Sequence, residues 1–314
     1  MNQLKRLRHH LTRRRLNPPL GFVHIPKAAG TAVVQRLESV LRPRHFIYGL
    51  DRSQFGAFAA FETMPASTRA TIFDDENEIP AFADVIAGHL SPKTIHGSYP
   101  SARLITILRT PASRLLSHWF YWRGYGPEVR AQYGDWGKAI AYAQADLGVF
   151  LQERQIACVT DNIIVRMLLW PHKLIPDDDF INPRDDDQLL AEAMQALNTF
   201  SFVHIIEVPA MMTSLEHWLR RTYGYSFWSQ IKNAQRHRSA QIVNVSKSPV
   251  VKMTTPLSVQ LMNGADNDVK QRTRLDDVLW YNIATRYFNQ DQAKTVYARS
   301  VTSAVARYEH LNNK

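Results

Sequence analysis

The 314-residue chain has a single cysteine, Cys158. No intramolecular disulfide can form, and a zinc site built on cysteine pairs is excluded. A lone thiol fits a reducing compartment. No run of about 18 apolar residues occurs, so no membrane-spanning helix is expected. The N-terminus is basic but lacks the apolar stretch of a secretory leader. There is no H-E-x-x-H, and no histidine–carboxylate cluster at ligand spacing, so no metal is expected. Acid is missing from residues 1–19, where Lys5, Arg6, Arg8, Arg13, Arg14 and Arg15 carry six of the ten excess positive charges. The high pI is therefore partly a property of this tail, and binding of nucleic acid is not inferred from it.

What is present suits a folded chain. Apolar residues make up 45% of the sequence, enough for a sizeable core. The length fits one large α/β domain or two modest ones. Asn17-Pro18-Pro19 marks a boundary, which divides the chain into a basic tail over 1–19 and a domain over 20–314. Leu4, Leu7 and Leu11 fall on one helical face, the pattern of a short helix that lies on anionic lipid. The competing reading is a solvated, frayed tail. A cytoplasmic protein, peripheral to a membrane at most, is expected.

Within the domain, Leu20 to Ile25 is a short apolar run that predicts a buried strand. Pro26-Lys27-Ala28-Ala29-Gly30-Thr31 forms a turn, and Ala32 to Leu41 has helical spacing. Further strands are predicted at Ala70–Phe73, Asp84–Ala87, Arg103–Arg109 and Phe202–Val208. Helices are predicted from Pro111 to about Trp122, over much of 139–170 and 187–198, from Ala210 to Tyr223, from Leu275 to Phe288, and near Asp291 to Glu309. Pro111 sits where a helix begins, and its missing N–H costs nothing there. Short strands alternating with longer helices predict an α/β fold: a P-loop-like parallel sheet with helices on both faces, in a single domain. The acidic runs Asp177–Asp179 and Asp185–Asp187 are read as a solvated loop.

Two elements carry the chemistry. In the first, strand–PKAAGT–helix, small residues let the backbone approach an oxyanion. The free N–H groups of the new helix point at it, and the helix dipole adds about half a positive charge. Lys27 supplies a cation and Thr31 a hydroxyl. This is not a Walker loop, because the lysine precedes the only glycine. In the second, Arg109 leaves a strand end, and Arg114 and Ser117 share a face of the next helix. A guanidinium with a hydroxyl suits a second phosphate. Together the two elements predict a ligand with two separated anionic groups.

HIPKAAGT at 24–31 resembles the 5′-phosphosulfate loop of the carbohydrate-type sulfotransferases, usually written HIPKTAGT. R-T-P-x-x-R-x-x-S-x-W at 109–119 resembles their 3′-phosphate element. The resemblance is to sulfotransferase family 2, the group that includes heparan sulfate 2-O-sulfotransferases, and covers residues 20 to about 290. Weaker echoes lie at Gly88-His89, at Thr160-Asp161-Asn162 through Leu168, and at Phe202-Val203 through Glu207. Ala28 departs from the usual threonine, which removes a hydroxyl but leaves the backbone cradle.

The resemblance implies 3′-phosphoadenosine 5′-phosphosulfate (PAPS) as donor, with no metal. Lys27, Ala28, Ala29, Gly30 and Thr31 would hold the 5′-phosphosulfate, and Arg109 and Ser117 the 3′-phosphate. Lys247, in the late loop Asn244–Pro249, would add a cation. Sulfuryl transfer needs a base for the acceptor hydroxyl and a cation for the leaving oxygen. Those roles fall to His89, in the Gly-His step after a strand, and to Lys27. His24 is read as support for the loop, Glu207 as the runner-up base and the role of His118 as open. Asp161 and Asn162 are candidate ligand contacts or helix caps. Aromatic residues after Ser117 (Trp119, Phe120, Tyr121, Trp122, Tyr125, Tyr133, Trp136) suit the CH faces of a carbohydrate or serve as core. The expected activity is O-sulfation of a carbohydrate or other hydroxyl acceptor. The alternatives are a P-loop-type nucleotide kinase and a non-catalytic polyanion-binding protein. The sequence does not set the oligomeric state.

Overall fold

The computed structural model describes residues 13–73, 78–224 and 264–312. Six strands form one sheet: β1 (Leu20–Val23), β2 (Phe46–Asp51), β3 (Ile72–Phe73), β4 (Val85–His89), β5 (Arg103–Leu108) and β6 (Phe202–Ile205). Their spatial order is β3-β2-β4-β1-β5-β6, and every pairing is parallel. The expected α/β class, with a parallel sheet between helical layers, is what the chain adopts.

The strands are apolar on both sides because both sides are covered. Phe22, Val85, Ala87, Ile105 and Ile107 pack under α1 (Gly30–Leu41), with Val33 and Leu37 facing them. The opposite face, with Ile86, Leu104 and Leu108, packs against helices from the middle and end of the chain. Among these are α4 (Ile163–Leu169), α5 (Asp186–Asn198) and α7 (Asp266–Ala284). The remaining longer helices are α2 (Pro92–Ser98), α3 (Pro111–Arg123), α6 (Met211–Tyr223) and α8 (Gln290–Asn312). α6 lies on the α1 face, where Met211, Leu215 and Leu219 are fully buried.

The sequence reading overlooked β2, and its predicted strand at 70–73 shrinks to the two-residue edge strand β3. Phe46-Ile47-Tyr48-Gly49-Leu50 does have the aromatic and β-branched content of a strand. Its burial is uneven, with Tyr48 exposed, so it lacks the apolar continuity of the other strands. Residues 13–19 run along the domain: Arg14 N–H donates to the Arg42 carbonyl at 2.8 Å, and Leu16 is buried. The Leu4/Leu7/Leu11 face lies outside the described residues. Among the described residues no helix is long and apolar enough to cross a membrane.

From β1 the chain crosses to β2 on one side, whereas from β5 it continues to β6 on the other. The carboxyl ends of β1 and β5 thus flank a point where the direction of winding reverses. In open parallel sheets, ligand crevices form at such a point.

Candidate functional site

The turn after β1 enters this crevice. Lys27 and Ala29 both have left-handed backbones, φ 65° and 61°. A non-glycine residue in that region costs roughly 1–3 kcal/mol and persists only where its surroundings hold it. Two contacts do the holding. The Arg109 Nη1–H donates to the Lys27 carbonyl at 3.0 Å. The His24 ring lies on Gly30, where an added β-carbon would come within 1.8 Å of Nε2. Only glycine lets α1 start this close to the imidazole. Ala29 gives no side-chain cap, and Gly30, Thr31 and Ala32 have no intrahelical acceptor for their N–H groups. The Ala28 methyl is buried in the core and Thr31 is exposed.

Arg109 is fixed from its own side as well. Its Nε and Nη2 donate to the Ser113 hydroxyl at 3.1 and 2.7 Å. One guanidinium therefore joins the start of α3 to the β1 loop, across 82 residues of sequence. Ser117 is buried one turn beyond Ser113, on the same side of α3. Arg114, also buried, has no partner for Nε or Nη1 among the described residues.

Lys27 Nζ lies 3.5 Å from the centre of the Tyr121 ring, a cation–π contact. Burial, then the Arg109 and Arg114 guanidiniums, push its amine down from 10.5 to about 7. Burial is also the main reason that Arg114 is lowered to about 10; the nearby Asp276 carboxylate opposes the shift and Arg109 adds to it. The crevice is a concentration of positive charge.

His89 ends β4. Its Nδ1 lies 2.6 Å from the His24 carbonyl. A carbonyl can only accept, so Nδ1 carries the hydrogen and Nε2 keeps its lone pair. Burial lowers the imidazole to about 4, with Lys27 adding to the effect and the His24 bond opposing it. The ring is therefore neutral at pH 7. Gly88, just before it, has φ +143°, and a β-carbon there would meet the Gly49 carbonyl oxygen at 1.9 Å. The His24 and His89 rings are 4.5 Å apart, and Tyr48 OH hydrogen-bonds His24 Nδ1 at 3.0 Å.

Lys27, Ala28, Ala29, Gly30, Thr31, His89, Arg109 and Ser117 thus occupy one end of the sheet, on β1, β4, β5 and the elements that follow them. Lys247 lies outside the described residues. Other expectations need correcting. Glu207 is not placed as a base: its carboxylate accepts from Thr110 N–H at 2.8 Å, from the Thr110 and Ser300 hydroxyls, and from Trp280 Nε1. It pins the start of α3. Asp161 and Asn162 are fully buried. Asp161 accepts from Arg166, Arg272 and the Ile181 N–H, and Asn162 Oδ1 accepts from Leu275 N–H, so both hold the fold together. Trp119, Phe120, Trp122 and Trp136 are core. Of that aromatic group, Tyr121 reaches the lysine. In the acidic loop, Asp179 pairs with Arg154 and Asp186 with Arg274.

The sequence reading missed Tyr48, because it missed β2. Nor does it show that the nitrogens of His118, on α3, are buried with no partner among the described residues. The four-residue spacing from Arg114 was the available signal.

Compared with known proteins, the chain matches no family model and no curated protein.

Proposed function

We propose that this chain is a PAPS-dependent O-sulfotransferase whose acceptor is a hydroxyl, most naturally on a carbohydrate. One observation carries the reading. The Arg109–Lys27 hydrogen bond joins the two anion-binding motifs into a single cradle at the reversal point of the sheet. Uncapped N–H groups and a half-buried lysine border it, with the buried Arg114 guanidinium beside the lysine, its Nε and Nη1 without acceptors among the described residues. Such a donor set fits a bisphosphorylated nucleotide.

The donor supplies an SO₃ group on a phosphate oxygen. That S–O bond breaks as the acceptor oxygen bonds sulfur. The acceptor's proton passes to His89 Nε2, which the Nδ1–His24 bond leaves as the free lone pair. Lys27, in its protonated form, lies where negative charge grows on the leaving oxygen. The anionic donor raises the lysine's proton affinity, so binding and charging occur together.

Calorimetry with adenosine 3′,5′-bisphosphate and with ATP, followed by radiolabelled transfer from PAPS to a glycan panel, tests the reading. Bisphosphate preference and labelled product are expected, with His89→Ala retaining nucleotide affinity and losing about 10²–10⁴-fold in kcat. ATP preference would favour a kinase. Binding without transfer to any acceptor would favour a polyanion-binding protein.

A further inference from the structure

On α3, Arg114 and His118 are four residues apart and so lie on one helical face. Arg114 is 1% exposed and His118 5%. Among the described residues neither His118 nitrogen has a hydrogen-bond partner, and nor do Nε and Nη1 of Arg114. A buried polar group without a partner ordinarily costs about 1–3 kcal/mol, and a charged one more. Two such residues one turn apart are rare in a native core.

Their surroundings say what they lack. His118 feels the charges of Arg114, Lys27 and His89, which with burial hold its imidazole well below the ordinary range. Its ring centre lies 4.5 Å from that of Trp122, the two rings meeting edge to face. Among the described residues the ionisable neighbours acting on it are Arg114, Lys27 and His89, with no carboxylate. The one carboxylate acting on Arg114 is Asp276, whose two oxygens accept from the Ile164 and Val165 N–H groups at 3.1 Å. Arg114 can only donate and a neutral imidazole donates from one of its nitrogens, so the pair has at least one unused donor on each side chain; with the charges of Lys27 and His89 nearby, an anionic oxygen matches those donors.

We infer that Arg114 and His118 together receive an anionic phosphate or sulfonate oxygen of the ligand at the Lys27 end. Arg109 is already committed to Ser113 and to the Lys27 carbonyl, which makes it the strut of the loop, while Arg114 offers unused donors. His118 is a binding residue here, distinct from the base at His89. The inference rests on the proposed function only for the identity of the ligand; the acceptor chemistry follows from the orphaned nitrogens.

His118→Phe keeps the ring against Trp122 and removes both orphan nitrogens. Binding is measured by calorimetry with adenosine 3′,5′-bisphosphate, adenosine 3′-monophosphate and inorganic pyrophosphate, and thermal midpoints are taken without ligand. The variant is expected to bind the bisphosphate and pyrophosphate at least tenfold more weakly. Affinity for the 3′-monophosphate, which lacks the 5′-group, is expected to hold. The ligand-free midpoint should stay level or rise, since an unsatisfied group has gone; a histidine serving only the fold would lower it. Unchanged affinity for bisphosphate and pyrophosphate overturns the inference, as does a wild type that binds neither. A wild type that binds pyrophosphate through His118 but no nucleotide overturns the sulfotransferase reading and supports this one. If His118→Phe does not fold, nitrogen-15 NMR of wild-type histidines decides. Pyrophosphate is expected to move the His118 ring signals, and an unmoved ring overturns the inference.

Discussion

Lys27 sits where a positive charge is hard to keep. Burial and two guanidiniums bring it to about 7 in the ligand-free protein. The folded chain thus binds fewer protons than the unfolded chain between about 7 and 10.5, and this group's contribution to stability rises with pH across that window. On the proposed function ligand affinity moves the other way, because the anionic donor needs the ammonium. Affinity for adenosine 3′,5′-bisphosphate should weaken above pH 7, approaching about tenfold per pH unit. Calorimetry from pH 6 to 9 checks the slope. Lys27→Arg, charged throughout, should flatten it; an equally steep slope in that variant would assign the titration to another group. The lysine itself was legible from its place before Ala-Ala-Gly. Its lowered proton affinity was not, because that depends first on how far the amine is buried and then on Arg109 and Arg114 beside it, and a sequence shows neither.

At the scale of elements, the site depends on close backbone approaches more than on side chains. β2 and β4 are held in register, with Gly49 opposite Gly88 and Leu50 opposite His89. No side chain fits between the two glycines, and the positive φ of Gly88 adds strain for any other residue. Gly88→Ala should therefore cost about 3 kcal/mol, read by urea denaturation. It should also displace His89; a loss below 1 kcal/mol would mean that the strands slide freely. Strands covered on both faces announced themselves as short, mostly apolar runs, as in Leu104–Leu108 and Leu20–Val23. β2 did not, since its exposed Tyr48 belongs to the site and not to the core. Glu207 shows the converse. At a strand end it resembled a base, yet its partners come from α3, α7 and α8, and no local pattern encodes that meeting.

Across the whole molecule, the far layer is tied together by one carboxylate. Asp161 bonds Arg166 at 3.0 Å, the Ile181 N–H at 2.8 Å and Arg272 at 3.4 Å, so it links α4, the 172–182 loop and α7. Asp161→Ala takes the carboxylate counter-charge from two buried guanidiniums, which keep only backbone carbonyl acceptors such as Pro176 and Leu151, and should lower stability by about 3–5 kcal/mol. Chemical denaturation reads this directly; a drop under 1 kcal/mol would show that the arginines find other partners. Asp161 followed by an apolar run was readable as a helix start, but the three partners arrive from residues 5 to 111 positions away.

Because the six described strands run the same way, the molecule has a rim that carries the candidate site and an opposite, blind one. Every segment leaving a strand emerges at the first, and every segment returning to one enters at the second. The blind rim includes Pro100 and Ser101, exposed just ahead of β5. A dye, a tether or a sensor chip attached there would hold the protein with its cradle facing outward.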